Sequence, residues 1–181
     1  MAAPNTARLW LVFSFLFVLA WPGLARADSP HIERVVLTSA DDYLKVNFRL
    51  VGAFLQDQVN QTLMAGLPTT FTYRAELLQV NALLPAKSLA LVELNRTIRY
   101  DPLPEQFSVT TEGQPSRTET VDDLTLAQYL MSEVSGLKVA PMSALKKGQT
   151  YRLRIWAVIH GPKVPSALKP LFYFGPPNIE S

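Results

Sequence analysis

Residues 149–160, Gln-Thr-Tyr-Arg-Leu-Arg-Ile-Trp-Ala-Val-Ile-His, constrain the fold more than any other stretch of this chain. Side chains alternate along an extended backbone, so Tyr151, Leu153, Ile155, Ala157 and Ile159 share one face. Arg152, Arg154, Trp156, Val158 and His160 share the other. A long strand with one wholly apolar face requires a second layer to bury it. Lys147-Gly148 before it and Gly161-Pro162 after it set its limits, and its β-branched and aromatic content suits the middle of an antiparallel sheet.

The front of the chain has a different logic. Arg8 precedes an apolar run from Leu9 to Leu24, interrupted only by Ser14, Pro22 and Gly23, and Ala25-Arg26-Ala27 follows with the small-x-small form read by signal peptidase. The expectation is a secretory signal over residues 1–27, cleaved between Ala27 and Asp28, leaving no membrane anchor: the run is shorter than the roughly 20 residues that span a bilayer. The 17 basic side chains, less Arg8 and Arg26, become 15, against 15 acidic ones, all at or after Asp28. The remaining 154 residues, 181 less 27, are therefore close to neutral, which argues against nucleic acid as a partner. They suit one α+β domain. Cysteine is absent, so neither disulfides nor thiol chemistry enter, and an exported chain of this kind, periplasmic or secreted, must rely on its core.

Period-two alternation predicts strands over residues 32–39, 43–51, 69–80, 89–100 and 106–111, besides 149–160. Asp41-Asp42 lies at a hairpin turn. Residues 53–65 read as an amphipathic helix with Leu55, Val59 and Leu63 on one side, Met64 beside them, and a glycine stop at Gly66. A second helix starts from a cap at Asp122 or Asp123 and continues to Ser135 with Leu126, Ala127, Leu130, Met131 and Val134 as its stripe. Residues 112–120, polar and holding Gly113 and Pro115, read as an exposed hairpin tip or loop. The tail from Gly161 holds five prolines together with Leu171, Phe172, Tyr173 and Phe174, too apolar for water, and is expected to close over the sheet as a lid. The resulting fold class is α+β: an antiparallel sheet of five to six strands in the order ββαβββαβ, with two short helices and a proline-rich C-terminal lid, or a sandwich with the helices at its edges.

Chemical motifs are sparse. No phosphate-binding glycine loop, no Gly-x-Ser-x-Gly elbow and no paired-histidine metal spacing occurs, and the two histidines, His31 and His160, are far apart. The sequence thus supplies no catalytic residue, metal ligand or cofactor site to name. Asp41-Asp42 and Asp122-Asp123 sit where turns and helix caps need carboxylates. Asn60-Gln-Thr62 and Asn95-Arg-Thr97 match the glycosylation pattern by chance. Arg74, Arg96, Arg99, Arg152 and Arg154 fall on predicted strands, either as one binding face or as a solvated one alternating with Glu76 and Glu93. Arg152, Arg154 and Trp156, joined by Phe172 and Tyr173 if the tail folds back, make the candidate partner surface, since Arg and Trp dominate binding hot spots. If Trp156 is core instead, a helix should cover it.

Longer stretches carry a family likeness. Tyr-Leu-Lys-Val-Asn-Phe at 43–48, Ala-Gly-Leu-Pro at 65–68, Thr-Phe-Thr-Tyr-Arg-Ala-Glu-Leu at 70–77, the run from Leu94 to Val109 and Lys-Gly-Gln-Thr-Tyr-Arg-Leu-Arg-Ile-Trp-Ala-Val at 147–158 resemble the exported bacterial family called domain of unknown function 4390. The resemblance implies an envelope location and a gene placed near that of a two-component sensor kinase, with no assigned activity. Three functions compete: a non-enzymatic module contacting another envelope or sensor-kinase-associated protein, a hydrolase with carboxylates assembled by folding, and a carrier of a lipid or other apolar ligand in a cavity between layers.

Overall fold

The computed structural model describes residues 29–81, 84–113, 115–161 and the backbone of 178–180. The signal segment, including Ala25, Ala27 and Asp28, and residues 162–177 of the proline-rich tail, with Phe172 and Tyr173, lie outside the described residues.

The described chain is α+β, and every strand pairing in it is antiparallel. Strands β1 (His31–Ala40), β2 (Tyr43–Val51) and β7 (Glu133–Pro141) form a small sheet in the order β1-β2-β7. The larger sheet runs β6-β5-β4-β3-β8-β9, built from β3 (Thr69–Val80), β4 (Lys87–Asp101), β5 (Gln106–Thr111), β6 (Arg117–Val121), β8 (Thr150–His160) and β9 (Asn178–Glu180). Helix α1 (Asp57–Met64) packs against β3 and β4, and α2 (Leu124–Ser132) against β4, β5 and β6 as well as β2 and β7.

The dry face of β8 is the one its alternation requires, with Ile155, Ala157 and Ile159 buried. They join Phe71, Tyr73, Ala75 and Leu77 of β3 and Ile98 of β4 beneath Val46, Phe48 and Leu50 of β2 and Val134 of β7. The layers meet ring to ring: Phe48 and Tyr73 lie 5.6 Å apart edge-on, and Phe71 links Tyr73 to Phe54 at 6.3 and 5.2 Å. Each fully buried large side chain stabilises the fold by about 1.5–3 kcal/mol. Both helices lie on this same side of the larger sheet, Ala127 and Met131 of α2 being buried with Phe107 and Val109 of β5.

The β1–β2 hairpin turns on Asp41 and Asp42, both with positive φ (52° and 60°), a two-residue turn whose twist matches the strands it joins. Gly66 ends the first helical region as expected. Its φ is +72°, and a Cβ there would stand 3.4 Å from the Tyr100 carbonyl.

Three segments differ from the sequence expectation. The first helix breaks: a 3-10 turn at Ala53–Leu55 is followed by extended Gln56 before α1 begins. That break takes Leu55 off the core stripe, leaving it 70 % exposed, while Val59 and Leu63 stay buried; Met64, next to Leu63 in the last turn of α1, is 56 % exposed. Second, residues 117–121 are a strand where the sequence predicts only a hairpin tip or loop, because Thr118 and Thr120 pair with Thr110 and Ser108 of β5. Third, α2 stops at Ser132 instead of Ser135. Residues from Glu133 pair with β2, with Gly136 at φ +68° donating its N–H to Asn47 Oδ1 at 2.6 Å. Pairing with β2 overrides the local helical pattern there. Asp123 is the cap, accepting from the Leu126 N–H at 2.7 Å.

The helix-to-strand junction has no loop, so the last carbonyls of α2 meet protein rather than water. Tyr73 donates its hydroxyl to the Met131 carbonyl at 2.6 Å, and the Arg96 guanidinium donates to the Leu130 carbonyl at 2.6 Å and to that of Glu133. Burial pushes the Tyr73 phenol above its ordinary value and draws the Arg96 guanidinium below its own. Arg96, which interrupts the apolar face of β4 in sequence, is therefore a helix cap pointing inward, and it does not join the other arginines on one face. Tyr73→Phe should lower unfolding free energy by about 1–3 kcal/mol and Arg96→Met by at least as much, because each leaves buried carbonyls unpaired. Exposed Arg99→Met should stay within about 0.5 kcal/mol, all three read by urea unfolding.

Candidate functional site

The outward face of the larger sheet carries the candidate site, and cross-strand register decides who meets whom. Trp156 of β8 lies opposite Arg74 of β3, Arg154 opposite Glu76, and Arg152 opposite Leu78. On the other side of β3, Arg74 faces Glu93 of β4 and Glu76 faces Leu91. Arg154 Nη2 donates to Glu76 Oε2 at 2.7 Å, and Arg74 Nε to Glu93 Oε2 at 2.8 Å. The Arg154 guanidinium also lies over the Trp156 ring, 5.2 Å from its centroid. Trp156 is half-buried, whereas Arg152, Arg154 and His160 are exposed. No helix among the described residues covers Trp156, since both pack on the opposite face of the sheet.

Beyond this cluster the face becomes a ladder of hydroxyls and amides. Thr72 donates to Asn95 Oδ1 at 2.7 Å, Thr70 and Thr97 share a hydrogen bond of 2.8 Å, Thr110 and Thr118 one of 2.9 Å, and Asn95 Nδ2 reaches Glu112 at 2.9 Å. Asn95 is thus held inside a side-chain network, and the Asn60 amide donates to the Phe54 carbonyl at 2.6 Å from within α1. Both acceptor-pattern asparagines have their side chains engaged in the fold.

The carboxylates here are paired. Hydrogen bonding from Arg154, then from Ser88, holds Glu76 below the ordinary glutamate value, and hydrogen bonding from Arg74 does the same for Glu93. At the hairpin, Lys45 holds Asp41 below its ordinary value through a salt bridge. On the small sheet Glu133 pairs with Arg49 at 2.6 Å. Glu76, Glu93 and Asp41, their pKa values lowered by these partners, hold no proton to give away at neutral pH. Among the described residues, no three or more His, Asp or Glu side chains gather as a metal ion would require. No helix there is long and apolar enough to cross a membrane.

Of the residues singled out from sequence, the fold brings Arg152, Arg154 and Trp156 together on one face with Arg74. Glu76 and Glu93 appeared in sequence only as alternating charges. Their pairing with Arg154 and Arg74 depends on register between strands far apart in the chain, for which the local pattern holds no signal.

With this geometry in place, comparison with known proteins yields one result. The chain matches the family model "Domain of unknown function (DUF4390)" over residues 27–177 and belongs to that family. No curated protein and no solved structure matches it.

The ion pairs predict an acid-sensitive fold. A carboxylate whose pKa is lower folded than unfolded contributes stability that is fully present above its unfolded value, near 4.5, and is lost as pH falls through the folded value. The urea midpoint should therefore fall as pH drops below about 4.5, and Glu76→Gln should flatten that dependence. A midpoint that rises on acidification would contradict it.

Proposed function

We propose that this chain is a periplasmic or secreted binding or accessory module, without catalysis of its own, that contacts another protein of the bacterial envelope through Arg152, Arg154 and Trp156. Phe172 and Tyr173 would join that surface if the tail folds back along the same edge. The observation that carries it is the Arg154 guanidinium stacked over a half-buried Trp156 on a face with no described helix above it. Arg and Trp supply large contact area with directional bonding, and a pair already stacked loses little side-chain freedom on binding. The paired, ionised carboxylates favour binding over hydrolysis, because a general acid needs its pKa raised. The ring-to-ring contact between layers likewise gives no support to an apolar carrier.

Export follows the same reading: residues 1–27 are removed and the mature chain starts at Asp28, after Ala25 and Ala27. Mass spectrometry of the exported protein should find that terminus; a membrane-bound product retaining Met1 overturns it.

The surface is tested by placing a photo-reactive residue at Arg152 and, as a control farther along the same face, at Arg99 in cells carrying the intact envelope. Cross-linking to one envelope protein should occur from position 152 and disappear in Trp156→Ala, while that variant loses only about 1 kcal/mol of stability. A loss near the 3–5 kcal/mol typical of about a whole core tryptophan, with cross-linking retained by the folded fraction, assigns Trp156 to the core and removes the site's anchor.

A further inference from the structure

The described residues present four sheet edges, and three of them are protected against pairing with another chain. β6 is five residues long and carries Arg117 and Glu119; β9 has three residues. β7 contains Lys138, Pro141 and the positive-φ Gly136, and its ladder with β2 shifts register twice. Short length, charge, proline and bulges are the devices by which sheets avoid edge-to-edge pairing. β1 differs. After a bulge at Arg34 (φ 54°), residues 35–40 run Val-Val-Leu-Thr-Ser-Ala without a charge or a proline. All six are exposed, Val35, Val36 and Leu37 by 44 %, 51 % and 50 %. β1 pairs with β2 on one side; β9 touches it without joining its ladder.

The charges flanking this stretch indicate what pairs with it. Arg34 stands at its N-terminal end and Asp41-Asp42 at its C-terminal end, so an antiparallel copy of the same strand brings opposite charges together. Arg34 has only a loose 3.6 Å contact with its neighbour Glu33, and Asp41 is already bound to Lys45. Asp42, exposed, has no ion-pair partner among the described residues. We propose that the protein forms a twofold dimer by antiparallel pairing of β1 with β1 of a second copy, centred on Thr38. A twofold axis perpendicular to the sheet keeps both cores on one side and requires some residue to lie opposite itself. Centring on Thr38 sets Leu37 against Ser39, Val36 against Ala40 and Arg34 against Asp42 of the second copy. Centring on Leu37 instead opposes Glu33 to Asp41, two like charges. The dimer joins the small sheets into one of six strands, β7-β2-β1-β1-β2-β7, and closes there, because the other described edges are protected.

This surface is separate from the outward face of the larger sheet, so the two readings stand or fall independently. Sedimentation velocity of the purified protein over a wide concentration range should show a monomer converting to a dimer. Leu37→Lys should remain monomeric throughout with an unchanged unfolding midpoint. Arg34→Asp and Asp42→Arg should each weaken the dimer by about tenfold or more, and mixing the two variants should restore it as a mixed pair, whose two cross-strand contacts are again of opposite sign. A protein monomeric at every concentration, a dimer indifferent to Leu37→Lys, or a mixture no heavier than its components overturns the proposal.

Discussion

The last turn of α2 is where the two layers are joined, and its buried carbonyls must be satisfied from the larger sheet. Met131, Leu130 and Glu133 offer oxygens at the point where helix passes directly into strand, and Tyr73 of β3 and Arg96 of β4 supply the donors. A helix end buried without donors is costly, since each unpaired carbonyl loses its hydration and gains nothing. Because the same residues then continue into β7, the position of α2 sets the position of the small sheet. Arg49 of β2, paired with Glu133 at 2.6 Å and lying 5.6 Å over the Tyr129 ring, holds that junction from the outer side.

From that junction follows the asymmetry of the larger sheet. One face receives α1, α2 and the small sheet, so it is filled with Phe71, Tyr73, Ala75, Ile98, Ile155 and Ala157. The other is left to cross-strand polar pairs. Opposite charges and hydroxyls placed directly across neighbouring strands stabilise the pairing modestly, and at neutral pH they hold Glu76 and Glu93 as bound anions. Trp156, half-covered by Arg154, is the one large aromatic side chain set among these polar pairs on β3, β4 and β8.

Much of the architecture could be read from periodicity. Strands β1 to β5 and β8, both helices, the Asp41-Asp42 turn, the Gly66 stop and the Asp123 cap all follow from patterns within about ten residues, where side-chain alternation and turn preferences act. The failures share a cause. Residues 133–135 continue the helical stripe of α2 and residues 117–121 carry a polar, loop-like composition, yet both are strands because a neighbouring strand accepts their hydrogen bonds. Leu55 left the core for a smaller reason, a single extended residue at Gln56 that breaks the phase of its helix.

The sequence by itself determined the antiparallel α+β class and the two faces of β8, with Arg152, Arg154 and Trp156 together on one of them, because alternation along a strand is a local property. Tertiary structure alone decided that Arg154 meets Glu76, that Arg74 meets Glu93, and that Arg96 turns inward to the end of α2 while its strand neighbours do not. Those outcomes depend on the register between strands and on which layer lies above each face. Both are set by the burial of the whole core, and no window of sequence contains them.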